Sequence, residues 1–463
     1  MMKKLLLIPL VIVLLGAMVF AGCGGEEPTT PTAPTTPTTP STPTAPAVTG
    51  PDSILFGYVV AETGHYAAFG KGGVWGARAA IDDINADGGL YISEHGRKIP
   101  IELKTVNSES DPNKAASLAE DLIVRDKVQY LVTGHIPPPM MSPVATVCQR
   151  YKTPYLHLGN PLEPAMHLRA DASEDWTHIW HGGFAIGTPA EPGSYFDKPG
   201  FTVIDMCANL LTEFGPETNN QFGIFAADDS DGIAWYGAFS GFLPSMGFNV
   251  IGTDKELGLF SMDTTDFTPI IREWMANDVE LIWGNSPAPP VGTMLRQMAS
   301  MNYTPKMLYA GRAALFYTDV AAWGGDIPLG VGCEGWWDCS YTHVTGIGNT
   351  NAQSLCDRWI YDTGEPMNPN IGWGYAAVQM MTDAISRAGT LDQDAVNTAL
   401  ADMNMETMIG HAEFDADHFC RCALYWFQWV KTDNPWVWEH RIVVSQHDGI
   451  ATTASPIFPL PEK

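Results

Sequence analysis

SILFGYVVAETGHYAAFGKGGVWGARAAIDDINADGG, residues 53–89, decides the fold. Its first eight residues are apolar and β-prone without alternation, which reads as a strand buried on both faces. From Val74 the period changes. Val74, Ala77, Ile81 and Ile84 recur at helical spacing. A buried strand followed by an amphipathic helix is half of a βαβ unit, so a parallel sheet with helices on both faces is expected.

The pattern repeats outward from this stretch. KIPIELKTV (98–106) reads as a strand, and Asp111-Pro112 starts a helix marked by Ala115, Leu118, Ala119 and Leu122. VQYLVTG, SPVATVCQRY and TPYLHLG then read strand, helix, strand. Pro, Gly and acidic residues interrupt the alternation at 160–200. It restarts with QFGIFAAD at 221 and runs through VELIWGN to KMLYAG at 306–311. Long helices are expected from 350 to 402, and CALYWFQWV with VWEHRIVV reads as a final hairpin. About 400 folded residues exceed one core, so two α/β lobes and a cleft between them are expected. Ligands of parallel sheets sit beyond the carboxyl ends of strands. That singles out the segments 61–70, 133–142, 157–164, 227–233, 283–290 and 310–314.

The first 51 residues have another character. MMKK precedes an apolar run from Leu5 to Ala21, as in an export signal. Phe20-Ala21-Gly22-Cys23 resembles a bacterial lipobox, which implies cleavage before Cys23 and lipidation of its thiol. An uncleaved anchor and simple secretion are the alternatives. Thr29 to Pro46 is almost all Thr and Pro, holds no large apolar residue and builds no core. Some 25 such residues reach roughly 75–80 Å at about 3.1 Å each, a tether between membrane and folded body.

The formal charge is −27, and loss of residues 1–22 makes it −29, because Lys3 and Lys4 go and no acid does. Such a surface repels nucleic acid, so no nucleic-acid partner is expected. With Cys23 lipidated, seven of the eight cysteines remain, an odd number. Export permits disulfides, and Cys333 with Cys339 is the easiest close pair. Cys420 and Cys422 with His418 look metal-like, but one intervening residue is short for a zinc chelate, and packing or a disulfide is the preferred reading. No metal and no cofactor are expected.

The order and spacing of TGHYAAFGKGGVWGARAAIDDINADGG, DPNKAASLAEDLI, VTGHIPPP, GTMLRQMASMN, GYAAVQMMTDAISRAG and EFD resemble type I periplasmic solute-binding proteins, especially the leucine/isoleucine/valine branch. The resemblance implies an α/β fold of two doubly wound parallel-sheet lobes joined by three crossings. It also implies a role as the receptor of an ABC importer, partnered by a membrane permease. The divisions that follow are a signal at 1–22, a tether at 23–51, first-lobe segments at 52–185 and 338–410, and second-lobe segments at 186–337 and 411–463.

The resemblance also implies ligand contacts. Phe69 matches the aromatic that covers the ligand, with core packing as its alternative. Pro138 stands where amino-acid binders place a serine, so that carboxylate contact is lost. Gly159, Asn160 and Pro161 form the next loop, where backbone N–H groups and the Asn160 amide remain as donors. In the second lobe Arg312 replaces the acidic partner of a ligand ammonium. It reads as a carboxylate clamp, or as a structural cation paired with an aspartate. Asp231 pairs with Arg312, binds a ligand donor, or starts a helix. Ser286 in SPAPP lines the rim, and Trp373 stands beside the pocket or in the core. These departures point to a carboxylate-bearing apolar or aromatic acid, with amino acids and amides still open.

Two other classes compete. A ligand sensor for a membrane signalling partner uses the same fold. An exported metal-dependent enzyme rests on His65, His135 and His157 after strands. Gly-x-Ser-x-Gly, His-Glu-x-x-His and Walker A motifs are absent. GVGCEG at 330–335 matches Gly-x-Gly-x-x-Gly by letter only and reads as a turn-rich stretch.

Overall fold

The computed structural model describes residues 50–462 apart from 174 and 256. The export signal, Cys23 and the Thr/Pro tether lie outside the described residues. Among the described residues no helix is long and apolar enough to cross a membrane.

Two sheets organise the chain. In the first, six parallel strands run in the order Phe419–Arg421, Ile179–Phe184, Tyr155–Pro161, Tyr130–Thr133, Ile54–Val60 and Ile101–Asn107. The second runs Leu259–Phe260, Gln221–Ala227, Leu281–Asn285, Met307–Gly311 and Gly332–Gly335 in parallel. The antiparallel hairpin Tyr425–Lys431 with Trp438–Ser445 completes it, as the sequence pattern expects. Asn249–Ile251 adds a strand beside Gln221–Ala227.

Three elements differ from the sequence reading. KIPIELKTV splits into Arg97–Ile99 and Ile101–Asn107, because Pro100 has no N–H for a ladder. Ile179–Phe184 is an interior strand inside the Pro- and Gly-rich interruption. GVGCEG is not a turn. Its Gly332–Gly335 is a strand, and a Cβ at Gly332 would lie 2.1 Å from the Trp426 ring. The glycines make room for aromatics of the neighbouring strand.

The chain crosses between sheets after Phe184 and again after Gly335. It then builds Asn370–Ala388, which packs along Ala68–Ala86 of the first lobe. The expected boundary at 410 is corrected: Phe419–Arg421 pairs with His181–Gly183 in the first sheet, so the last crossing falls between Arg421 and Tyr425. A three-residue strand after the turn at Asp415–His418 is too short to show a period.

The helices Ala68–Ala86 and Asn370–Ala388 cross at backbone contact. A Cβ on Gly374 would sit 1.9 Å from the Gly73 carbonyl oxygen, and one on Gly76 would sit 2.0 Å from that of Ile371. No side chain end can yield there, so the helices must part. Gly374→Ala is expected to destabilise the protein by about 1–3 kcal/mol, read as a lower urea midpoint.

Cys339 is bridged to Cys356 rather than to Cys333. Cys333 points into the second-lobe core and donates to Glu334. Cys420 and Cys422 are buried and free, and no group of three or more metal-ligating side chains occurs among the described residues. The bridge closes 17 residues, which corresponds to about 3 kcal/mol. The double variant Cys339→Ser with Cys356→Ser is expected to unfold at correspondingly lower denaturant.

Candidate functional site

The carboxyl ends of both sheets face each other. Asp229 caps the helix Ser230–Ser245 by accepting from the Gly232 N–H at 2.8 Å. This turn brings Asp229 and Asp231 to Arg312, which follows the strand Met307–Gly311 with a left-handed φ of 62°. Arg312 is 3% exposed. Nε donates to Asn285 Oδ1 at 2.8 Å, and Nη1 and Nη2 to the two Asp229 oxygens at 2.8 and 3.2 Å. Nη2 also reaches the Asn285 carbonyl at 3.2 Å, and Asp231 Oδ2 lies 3.1 Å from Nε.

In this geometry Arg312 is not a free cation. Its fork is filled by the protein's own acids, the alternative that the sequence left open. Two carboxylates surround one guanidinium, so the buried cluster carries an excess negative charge. Burial raises both acids. At Asp229 the Arg312 charge and hydrogen bonds outweigh burial and leave the carboxyl below its ordinary value. At Asp231 burial wins, aided by Asp229 and opposed by Arg312, and pushes it up to about 6. Asp231 Oδ1 is buried without a hydrogen-bond partner.

The first lobe supplies an aromatic wall. Phe69 meets His135 and Phe316 edge to face, each with ring centres 4.8 Å apart. Trp336 stacks on Phe184 at 4.8 Å and touches His135 at 4.9 Å. Asn370 ties this wall together. Its side chain accepts from the His135 N–H and donates to the carbonyls of Phe69 and His135 at 2.6–2.9 Å. Tyr66 donates across the cleft to Asp229 at 3.2 Å, and Phe69 on Phe316 is a second interlobe contact. The lobes are closed. The cavity between them is about 10 Å³, lined by His135, Pro161 and Phe184 on one side and by Asp231, Asn285, Arg312 and Glu334 on the other. That is room for one water, so any larger ligand enters by parting the lobes. Glu334 accepts from Tyr309 at 2.5 Å, and burial raises its carboxyl.

The sequence-derived residues divide. Phe69, Pro161, Asp231 and Arg312 converge on the cleft. Gly159 (φ +90°) backs onto His135, where a Cβ would come within 2.7 Å of the His135 Cβ. Asn160 is fully buried beside Pro161, and neither amide atom has a hydrogen-bond partner. Pro138 opens a helix, and Ser286 is buried with its hydroxyl 3.4 Å from the Pro287 carbonyl. Trp373 lies inside the Asn370–Ala388 helix packing. None of these three lines the cavity. Sequence reasoning missed Tyr66, Asp229, Asn285, Glu334, Trp336 and Asn370. Asp229 and Asn285 do lie in the strand-following segments at 227–233 and 283–290.

His65, His135 and His157 do not form one site. His65 faces Asp263 at 3.9 Å, half-exposed, while His135 and His157 are buried in the first lobe. His157 Nδ1 bonds Thr133 at 2.6 Å. Burial drives its imidazole down to about 3. Burial likewise drives His181 well below 6.5, and neither of its ring nitrogens has a hydrogen-bond partner. The unfolded chain therefore takes up a proton below about pH 6.5 that native His181 refuses, which costs stability as pH falls. Relative to wild type, His181→Leu is expected to gain unfolding free energy as pH is lowered from 7 to 5. A constant difference in urea titrations would contradict this.

The chain belongs to the periplasmic binding protein family, whose model matches residues 53–434. Solved structures share the fold. The leucine-binding protein LivK of Thermotoga maritima superposes with a TM-score of 0.65 at 14% identity, covering 85% of this chain and 99% of that one. LivJ of Streptococcus pneumoniae, in complex with isoleucine, gives 0.65 at 17% identity over 85% and 99%. A solute-binding protein of an ABC transporter from Rhodopseudomonas palustris, in complex with 3,4-dihydroxybenzoic acid, gives 0.64 at 16% identity over 87% and 99%.

Proposed function

We propose that this protein is an extracytoplasmic, lipid-anchored solute receptor that hands a small molecule to an ABC permease. It works by capture without chemistry. The open lobes expose Asp231 and the aromatic wall, the ligand touches both, and its better fit to the closed form drives closure.

The ligand we assign carries an ammonium or amide N–H group and an apolar body, as a branched or aromatic amino acid does. One observation carries this: Asp231 Oδ1 is a buried acceptor without a donor, beside an Arg312 already filled by two carboxylates. A bare carboxylate entering here meets excess negative charge, whereas an ammonium neutralises it. The aromatic edge of Phe69 and the stacked Phe184 and Trp336 suit the apolar body. The Asn160 amide suits a ligand carboxylate in the first lobe. Relatives of this fold hold isoleucine or a hydroxybenzoate, and the charge of this cleft favours the former class.

The test is calorimetric titration with leucine, isoleucine and phenylalanine. Asp231→Asn is expected to weaken the best of them by about 2–5 kcal/mol. Affinity is also expected to fall as pH drops through about 6, where Asp231 takes up a proton. An amino acid bound equally well by wild type and Asp231→Asn would remove Asp231 from the site.

A further inference from the structure

A second, larger cavity lies outside the wall that Phe69 and Phe316 form. It is about 640 Å³ and reaches between the lobes. The first lobe lines it with Ala68, Lys71, Trp75 and Trp359, and the second with Tyr317 and Asp319. This size is that of a small-molecule site rather than a surface dent. The sequence neighbours tell how it is separated from the central cleft: Ala68 and Gly70 flank Phe69, and Tyr317 follows Phe316.

The floor is aromatic. Trp75 and Trp359 meet edge to face at 5.4 Å. Of the charges around them, Lys71 and Glu365 neutralise each other, while Arg78 and the exposed Glu62 make no ion pair. Lys71 is paired with Glu365 at 2.7 Å and lies over Trp359, and Trp75 donates to Asp362 at 3.0 Å. Arg78 Nη2 donates to Thr105 at 3.3 Å. Asp319 is the partly buried one among the unpaired groups. Its carboxylate takes part in no hydrogen bond or ion pair, and partial burial pushes it up to about 7. A cavity with an aromatic floor and a partly buried, unpartnered carboxylate in its wall is incomplete on its own.

We propose that this cavity is a second binding site, outside the central cleft, for a small organic amine with an aromatic or branched apolar body. Its ammonium pairs with Asp319 and its body lies on Trp75 and Trp359. The site has walls from both lobes, so it exists only when they are closed. Occupancy therefore favours the closed form and tightens binding in the central cleft, and the converse holds by linkage.

The probe is phenethylamine, titrated calorimetrically into the full chain carrying Asp231→Asn, which disables the central assignment. That protein is expected to bind phenethylamine in the millimolar range, and adding Asp319→Asn is expected to weaken this at least tenfold. Trp75→Leu, which keeps the carboxylate, is expected to weaken it severalfold. Asp319→Asn alone is expected to leave the amino-acid ligand of the central cleft bound, so failure of one site is distinguishable from failure of the other. No phenethylamine binding by the Asp231→Asn protein at 10 mM, or binding unaffected by Asp319→Asn, would overturn the proposal.

Discussion

One guanidinium held between two aspartates governs the cleft. Arg312 sits at the carboxyl end of the second sheet in a left-handed turn, and its charge is what allows Asp229 to remain ionised while buried. Asp229 in turn caps a helix and receives Tyr66 from the opposite lobe. Helix start, charge balance and lobe closure thus share one carboxylate. The second carboxylate, Asp231, is left with an oxygen that nothing in the protein satisfies. A buried polar atom without a partner costs free energy that a donor from outside can recover. Ligand recognition in this account is the completion of that cluster.

Closure brings aromatic rings together where ligand atoms would otherwise lie. Phe69 against Phe316, and Trp336 against Phe184 and His135, leave space for about one water. A ligand therefore replaces ring-to-ring contact with ring-to-ligand contact, and affinity is the difference between the two. That exchange favours molecules with an apolar body as large as the contact they displace. Asn370, which fixes both Phe69 and His135 from a distant helix, keeps the first-lobe half of the wall rigid while the lobes part.

Much of this was legible in the sequence. Buried strands and helix periods gave two α/β lobes, and the terminal hairpin was readable from its aromatic strands. Strand-following segments contained Phe69, Pro161, Asp231 and Arg312. What escaped was long-range. Asn370 lies about 235 residues from the loop it clamps, and no local pattern announces such a partner. Glu334 hid in a glycine-rich strand that reads as a turn unless Trp426 is known to need the space. Ile179–Phe184 carries two glycines among its six residues and so lacks the apolar run of its neighbours. For Arg312 spacing places a cation near the cleft but does not count the anions, Asp229 and Asp231, that the fold brings to it.

The central claim is that the cleft selects for an amine rather than a bare acid. The direct measurement is a thermal-shift comparison of leucine with 4-methylpentanoate, which has the same apolar body and carboxylate but no amine. The account predicts a concentration-dependent rise in Tm with leucine and none with 4-methylpentanoate at the same concentrations. An equal or larger rise with 4-methylpentanoate would contradict it and return Arg312 to the role of a carboxylate partner.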